Sequence, residues 1–173
     1  MIKKNIHKSK FVSQLVRFTN VHVYKPMSLT EGVEPKYGLT LLIPKNDKKE
    51  VKRFNEVFQC VKNENLVFFK GCKKILGGLR DGDTEIDSPE FSGYYFLNVS
   101  SPETPGVIDE DLCPIFNPDE VYNGCYGRAS LTFYPFTAKG SYGIAAHLHN
   151  LQKLKDGERF SDILIHDELN PEE

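Results

Sequence analysis

Between Lys36 and Ile43 apolar and polar residues alternate: Tyr37, Leu39, Leu41 and Ile43 fall on one side of an extended chain, Lys36 and Thr40 on the other. A period of two marks a half-buried strand, which Pro44 ends. The period then lengthens. Val51, Phe54, Val57, Phe58 and Val61 recur at helical spacing behind Asn46 and Asp47, either of which can cap, with Glu50 placed to complete a capping box. The pattern predicts an amphipathic helix over roughly 47–64. Upstream, Phe11 to Tyr24 is dense in β-branched and aromatic residues and predicts a long strand broken near Asn20, preceded by a frayed, lysine-rich N-terminal dozen.

Downstream, residues 65–91 read as irregular, with turns at Gly77-Gly78 and Asp81-Gly82-Asp83. A strand is expected at Tyr94–Val99, with Tyr95, Leu97 and Val99 facing the core and Tyr94, Phe96 and Asn98 facing away. Pro102, Pro105, Pro114 and Pro118 confine residues 100–123 to loops and edge structure. Tyr126–Phe136 and Tyr142–His149, joined by Ala138-Lys139-Gly140-Ser141, read as a hairpin. Five or six strands, one helix after the second and no βαβα alternation predict a mainly β fold, a small antiparallel barrel or sandwich.

Composition narrows this picture without changing it. The 173 residues suit one domain, and their 39% hydrophobic and 27% charged content is ordinary for a soluble chain. No apolar run approaches the roughly 20 residues of a membrane helix, and the first residues hold no apolar secretory segment, so a soluble intracellular protein is expected. Cys60, Cys72, Cys113 and Cys125 contain no C-x-x-C pair and read as reduced thiols rather than zinc ligands. Net charge is −2, yet residues 1–80 hold 17 Lys and Arg against 6 Asp and Glu, and residues 81–173 hold 5 against 18. Such asymmetry can concentrate positive field on one surface of a near-neutral protein.

Chemistry is densest between Val121 and Phe136. On a strand Ala129, Leu131 and Phe133 share a core face, while Arg128, Ser130, Thr132 and Tyr134 share the other, near Tyr122 and Tyr126. Rings that can stack unpaired bases beside cations that can follow phosphates suit single-stranded nucleic acid. The stacking candidates are Tyr94, Tyr122, Tyr126 and Tyr134. The phosphate candidates are Lys10, Arg17, Lys36, Arg80 and Arg128. Lys48, Lys49, Lys52 and Arg53 read as the solvated face of the helix. Enzymatic patterns are weak. Asp81, Asp83, Glu85 and Asp87 do not fit an EF-hand, and His147 with His149 lacks a third ligand. A metal-dependent nuclease using these acids and histidines is the enzymatic alternative, and a protein-binding adaptor using the same aromatic face is the other.

The succession Glu34-Pro35-Lys36-Tyr37, Leu79-Arg80-Asp81-Gly82-Asp83, Pro105-Gly106-Val107-Ile108-Asp109, Tyr122-Asn123-Gly124-Cys125-Tyr126-Gly127-Arg128-Ala129-Ser130, Gly143-Ile144-Ala145-Ala146 and Leu151–Glu158 resembles a phage and prophage family once catalogued as a domain of unknown function. Its members look like single-stranded-DNA-binding proteins with an OB fold, similar to the T7-type phage protein. The resemblance runs from about Val16 to Glu158 and implies an OB-fold-like barrel of five or six strands over residues 1–160. It implies a non-enzymatic role, without cofactor or metal, protecting single-stranded DNA during replication or recombination in the cytoplasm of an infected bacterium. It further implies a monomer or dimer with no membrane partner. Residues 161–173 form a short acidic tail, with five acids between Asp162 and Glu173. Such a tail can compete with DNA and free itself for phage or host replication proteins, although it lacks the terminal Phe of the T7-type protein.

Overall fold

A computed structural model of the chain describes residues 9–28, 31–72 and 74–160. The expected acidic tail and the first eight residues lie outside this range. The strands are β1 (Ser9–Val12), β2 (Val16–Met27), β3 (Lys36–Pro44), β4 (Ile75–Leu76), β5 (Arg80–Asp81), β6 (Tyr94–Ser101), β7 (Gly106–Ile108), β8 (Tyr126–Ala138) and β9 (Ser141–Lys155). The helices are α1 (Lys48–Glu64), α2 (Leu66–Phe69) and α3 (Gly82–Glu85). Neighbouring strands run β8, β2, β3, β6, β9 and back to β8, which closes a ring. This five-strand ring, with β6 and β9 meeting in parallel, is an OB-type barrel. The short β1, β4, β5 and β7 add to its edges. The main helix follows β3, because the run read as one strand from Phe11 to Tyr24 is two.

Local chemistry accounts for the breaks. Asn20 takes a left-handed backbone (φ 50°) and the β2–β3 register shifts beside it, so β2 bends there. The β8–β9 turn is Lys139-Gly140, both at positive φ (50° and 79°). A two-residue turn of that hand matches the twist of the flanking strands. The N-terminal dozen is frayed in expectation only up to its described part: Ser9–Val12 form β1, paired residue for residue with β8 from Phe133 to Ser130.

The interior is built on Phe133, fully buried, with the rings of Phe11, Phe54 and Phe58 at 5.7, 6.5 and 4.9 Å. Phe54, Phe58 and Val61 bring the apolar stripe of α1 to this cluster, as the helical period predicts. A second cluster of Leu42, Phe91, Phe96 and Phe160 covers the other side of β3 and β6. Two alternation-based expectations therefore fail. Phe96 is buried rather than turned to solvent, and Thr40 is buried too, donating to Asn98 Oδ1 at 2.6 Å. Alternation assumes that one face is wet, whereas this sheet is covered on both.

Asp47 caps α1, its carboxylate accepting from the Glu50 N–H. Glu50 does not return the bond. Its buried carboxylate accepts from the Gln14 N–H at 2.8 Å and from Arg53 at 2.6 Å, tying α1 to the β1–β2 connection. The two residues thus differ in weight. Asp47→Ala should lower stability by about 1 kcal/mol, the usual loss of a cap. Glu50→Ala, which removes a buried carboxylate with its bonds to the Gln14 N–H and to the half-buried Arg53, should cost about 2 kcal/mol. Equilibrium urea unfolding of both variants checks the difference; equal losses would reduce Glu50 to a capping residue.

Candidate nucleic-acid interface

On β8 alternate side chains share one face, Tyr126, Arg128, Ser130, Thr132 and Tyr134: Arg128 is exposed, Tyr126, Ser130 and Tyr134 are half-buried and Thr132 is buried, as are Ala129, Leu131 and Phe133 on the other face. The β9 residues opposite them are Lys155, Gln152, Asn150, His147 and Ala145. Two shifts in the β9 register, one between Tyr126 and Gly127 and one between Ser130 and Leu131, leave the alternation of β8 intact. From Tyr126 to Lys155 the chain contains no Asp or Glu, although residues 81–173 as a whole hold 18. The hairpin is an acid-free surface in the acidic part of the sequence.

Its outward face has two centres. One is a groove of about 430 Å³ lined by Lys10 of β1, Thr132, Tyr134, His147 and His149. Lys10 reaches it because β1 pairs opposite Thr132. The imidazoles of His147 and His149 meet edge to face at 4.7 Å, and His149 Nε2 lies 2.6 Å from Thr132 Oγ1.

The other centre gathers cations on aromatic rings at the start of β8. The Lys155 ammonium lies 4.6 Å from the Tyr126 ring centre, and the Arg17 guanidinium lies 5.1 Å from it on β2. Arg159 and Lys153 lie 4.0 and 5.3 Å from the Tyr122 ring. Tyr94 lies beside Tyr126 and packs on the second apolar cluster. Arg80 stacks 4.8 Å from Phe96 of that cluster and pairs with Glu85 at 3.0 Å.

Most of the residues expected from sequence thus assemble, but not in equal roles. Arg17 donates to the carbonyls of Gly124 and Glu158 at 2.9 and 2.8 Å and stacks on Phe160 at 4.3 Å, so it locks two loops together from inside. Tyr122 is likewise held: its hydroxyl donates to Asp156 at 2.9 Å and accepts from the Gly157 N–H at 3.1 Å. Gly124, at φ 116°, lets these loops touch, since a Cβ there would collide with the Glu158 carbonyl. Arg128 is exposed and bonded only laterally, to Gln152 at 2.9 Å. Lys36 stands apart, exposed at the start of β3 opposite Met27. Sequence reading missed Lys153, Lys155 and Arg159, as well as both histidines as groove residues. The signal was available in the acid-free stretch.

The elements of the nuclease alternative do not converge. Asp81 and Asp83 both bind Lys45, whose pKa rises to about 12 through those hydrogen bonds, and Glu85 binds Arg80. Asp81 stands beside Tyr95 and His147 beside Ser100, five residues away along β6, roughly 15 Å at strand rise. Among the described residues no three His, Cys, Asp or Glu side chains form a group able to hold a metal ion.

A family profile described as the ssDNA-binding protein of Enterobacter phage Enc34 matches residues 9–166. The structure of the Enc34 single-stranded-DNA-binding protein in complex with ssDNA is similar at 26% identity, over 87% of this chain and 89% of that one, with a TM-score of 0.75. Its C-terminal truncation is similar at 26% identity over 87% and 88%, with a TM-score of 0.70. The single-stranded-DNA-binding protein gp2.5 of bacteriophage T7 shares the fold, with a TM-score of 0.60 at 12% identity over 88% and 89% of the two chains. No curated protein matches the chain.

Burial raises the pKa of Tyr122 and of Tyr126, and the Asp156 carboxylate adds to the effect at Tyr122. Both phenols should therefore ionise above the ordinary value of about 10. A raised folded-state pKa contributes stability that is whole below the unfolded value and is lost as pH climbs through the folded one. Spectrophotometric titration should show a late phase that shrinks in Tyr122→Phe, with unfolding free energy falling above about pH 10.

Proposed function

The chain belongs to the family of the Enterobacter phage Enc34 single-stranded-DNA-binding protein, and we propose that it coats single-stranded DNA along the outward face of β8, from Tyr126 to Tyr134. One observation carries this placement. A row of ring, guanidinium, hydroxyl and ring, Tyr126, Arg128, Ser130 and Tyr134, runs about 26 Å along one strand at the usual strand rise, with Thr132 buried under it against His149. It is flanked by Lys155 and Lys10, and the hairpin that carries it holds no carboxylate. Phosphates would follow Arg128, Lys10 and Lys155, and bases would stack on Tyr134 and on the outer side of Tyr126. Binding of this kind tolerates any sequence, because every base offers a π-face. No covalent step is part of the reading. It would operate in the cytoplasm of an infected bacterium, protecting strands exposed during replication or recombination.

Arg17 and Tyr122 act one layer deeper, holding the loops that carry Lys155 and Arg159. Lys36 and Arg80 are secondary in this reading, Lys36 because it lies apart and Arg80 because Glu85 neutralises it.

Fluorescence anisotropy of labelled oligo-dT against the matching duplex, in EDTA across a salt series, tests the proposal. Oligo-dT should bind well below the duplex concentration, with log affinity falling linearly in log salt. Arg128→Ala and Lys10→Ala should each reduce that slope by about 1. Tyr134→Ala should weaken binding by about 1–3 kcal/mol at every salt concentration. Absence of binding at low salt would end the proposal, and unaltered slopes in both cation variants would move the path off β8.

A further inference from the structure

Two exposed apolar patches lie at opposite ends of β9 and carry opposite charge. The first is on the loop between β7 and β8. Phe116 is 84% exposed and Leu112 68%. The loop is nevertheless fixed. Asp109 Oδ1 accepts from the Asp111 and Cys113 N–H groups at 2.9 Å, the Ile115 N–H donates to the Val107 carbonyl, and Tyr24 donates to the Ile115 carbonyl at 2.8 Å. Asn117 caps the turn that follows. Phe116 is thus held out in water between two anchored residues. Two large apolar side chains exposed on one ordered, acid-rimmed loop can form a contact patch. Asp109, Glu110, Asp111, Asp119 and Glu120 flank it in the chain, with no Lys or Arg between Asp109 and Glu120. That charge turns DNA away and selects a basic, apolar partner.

The second patch has that complement. Val67 is 79% exposed and Leu66 62%, on α2. Lys62, Lys70 and Lys74 are exposed around them, against one carboxylate, Glu64. Here too the backbone is anchored, since Phe68 and Phe69 pack on Tyr142 at 5.9 and 6.4 Å. Tyr142 begins β9, whereas Gln152, near its other end, pairs with Ile108 beside the acidic loop. The two patches are therefore separated by about 30 Å of strand, and they cannot meet within one molecule.

We infer that the Phe116 loop of one copy of this chain docks on the Leu66–Val67 patch of another, head to tail. A heterologous contact between patches on opposite ends does not close on itself, so it propagates as an open row. Copies arrayed in this way along a strand would bind it cooperatively. That role rests on the DNA-binding reading above; the contact itself does not.

Sedimentation velocity without DNA, at low salt, tests the contact. The full chain should show species larger than a monomer as concentration rises. Phe116→Glu and Val67→Glu should each remain monomeric, both sites being too exposed for the change to disturb the fold. Mixed in equal amounts they should give a dimer and nothing larger, because each variant keeps the half that the other lacks. Self-association by either variant alone, or a mixture that stays monomeric, would overturn the inference. On DNA, an oligo-dT that holds one copy should bind all three proteins alike, and a long oligo-dT should bind the wild type roughly tenfold more tightly than either variant. If no protein binds the short strand, the DNA reading fails while sedimentation still decides the contact.

Discussion

The antiparallel pairing of β8 with β9 holds thirteen residue pairs together, from Tyr126 to the Lys139-Gly140 turn, and the rest of the barrel is arranged around it. β3 also pairs at length with β2 and β6, but two joints of the ring are thin. β2 meets β8 at Val16 and Arg17 alone, and β6 meets β9 at Ser100 alone. The buried side of this hairpin supplies Phe133 and Leu131 to the core, while its outer side presents the row assigned to DNA. One ladder thus sets both the position of the core and the spacing of the surface chemistry.

Two cations of this surface, Lys155 and Arg159, are positioned by rings rather than by carboxylates. Lys155 lies over Tyr126 and Arg159 over Tyr122, whereas Lys153, also over Tyr122, pairs with Asp156 at 2.7 Å and Arg17 is bonded to the carbonyls of Gly124 and Glu158. A cation resting on an aromatic face is positioned without being neutralised, so its field still reaches an approaching phosphate. Arg80 with Glu85 and Lys45 with Asp81 and Asp83 show the other arrangement, in which the charge is consumed locally. The contrast separates cations available to a ligand from those that hold the structure.

Much of this was legible in the chain itself. The 3.6-residue period gave α1 with its Asp47 cap and the Gly-bearing link between two β-rich runs was the β8–β9 turn, whereas the break expected near Asn20 is a bend in a continuous β2 and the interruption falls at residues 13–15. What escaped reading depended on partners remote in sequence. Phe96 is buried because Phe91 and Phe160 cover a second face of the sheet, and buried Thr40 meets Asn98 and Asn20, contacts that no local alternation records. Arg17 looked like a free cation until its two carbonyl partners, Gly124 and Glu158, were brought beside it by folding. Glu50 looked like half of a cap because Gln14 is a neighbour only in space. The lysines at the end of β9 were overlooked for another reason: attention to charge by halves hid an acid-free hairpin inside the acidic half.

The order of the strands also bears on how the chain reaches its native state. β1 and β2 have their barrel partner in β8, more than a hundred residues later. The hairpin that receives them closes through only two residues, at small entropic cost, whereas joining β2 to β8 means closing most of the chain into a loop. During synthesis the edges of the first two strands that pair with β8 stay unsatisfied until β8 itself has left the ribosome. No N-terminal portion can complete the ring, so folding is committed only when the last strand arrives, and until then the early strands depend on β3 and α1 for shelter against pairing with other chains.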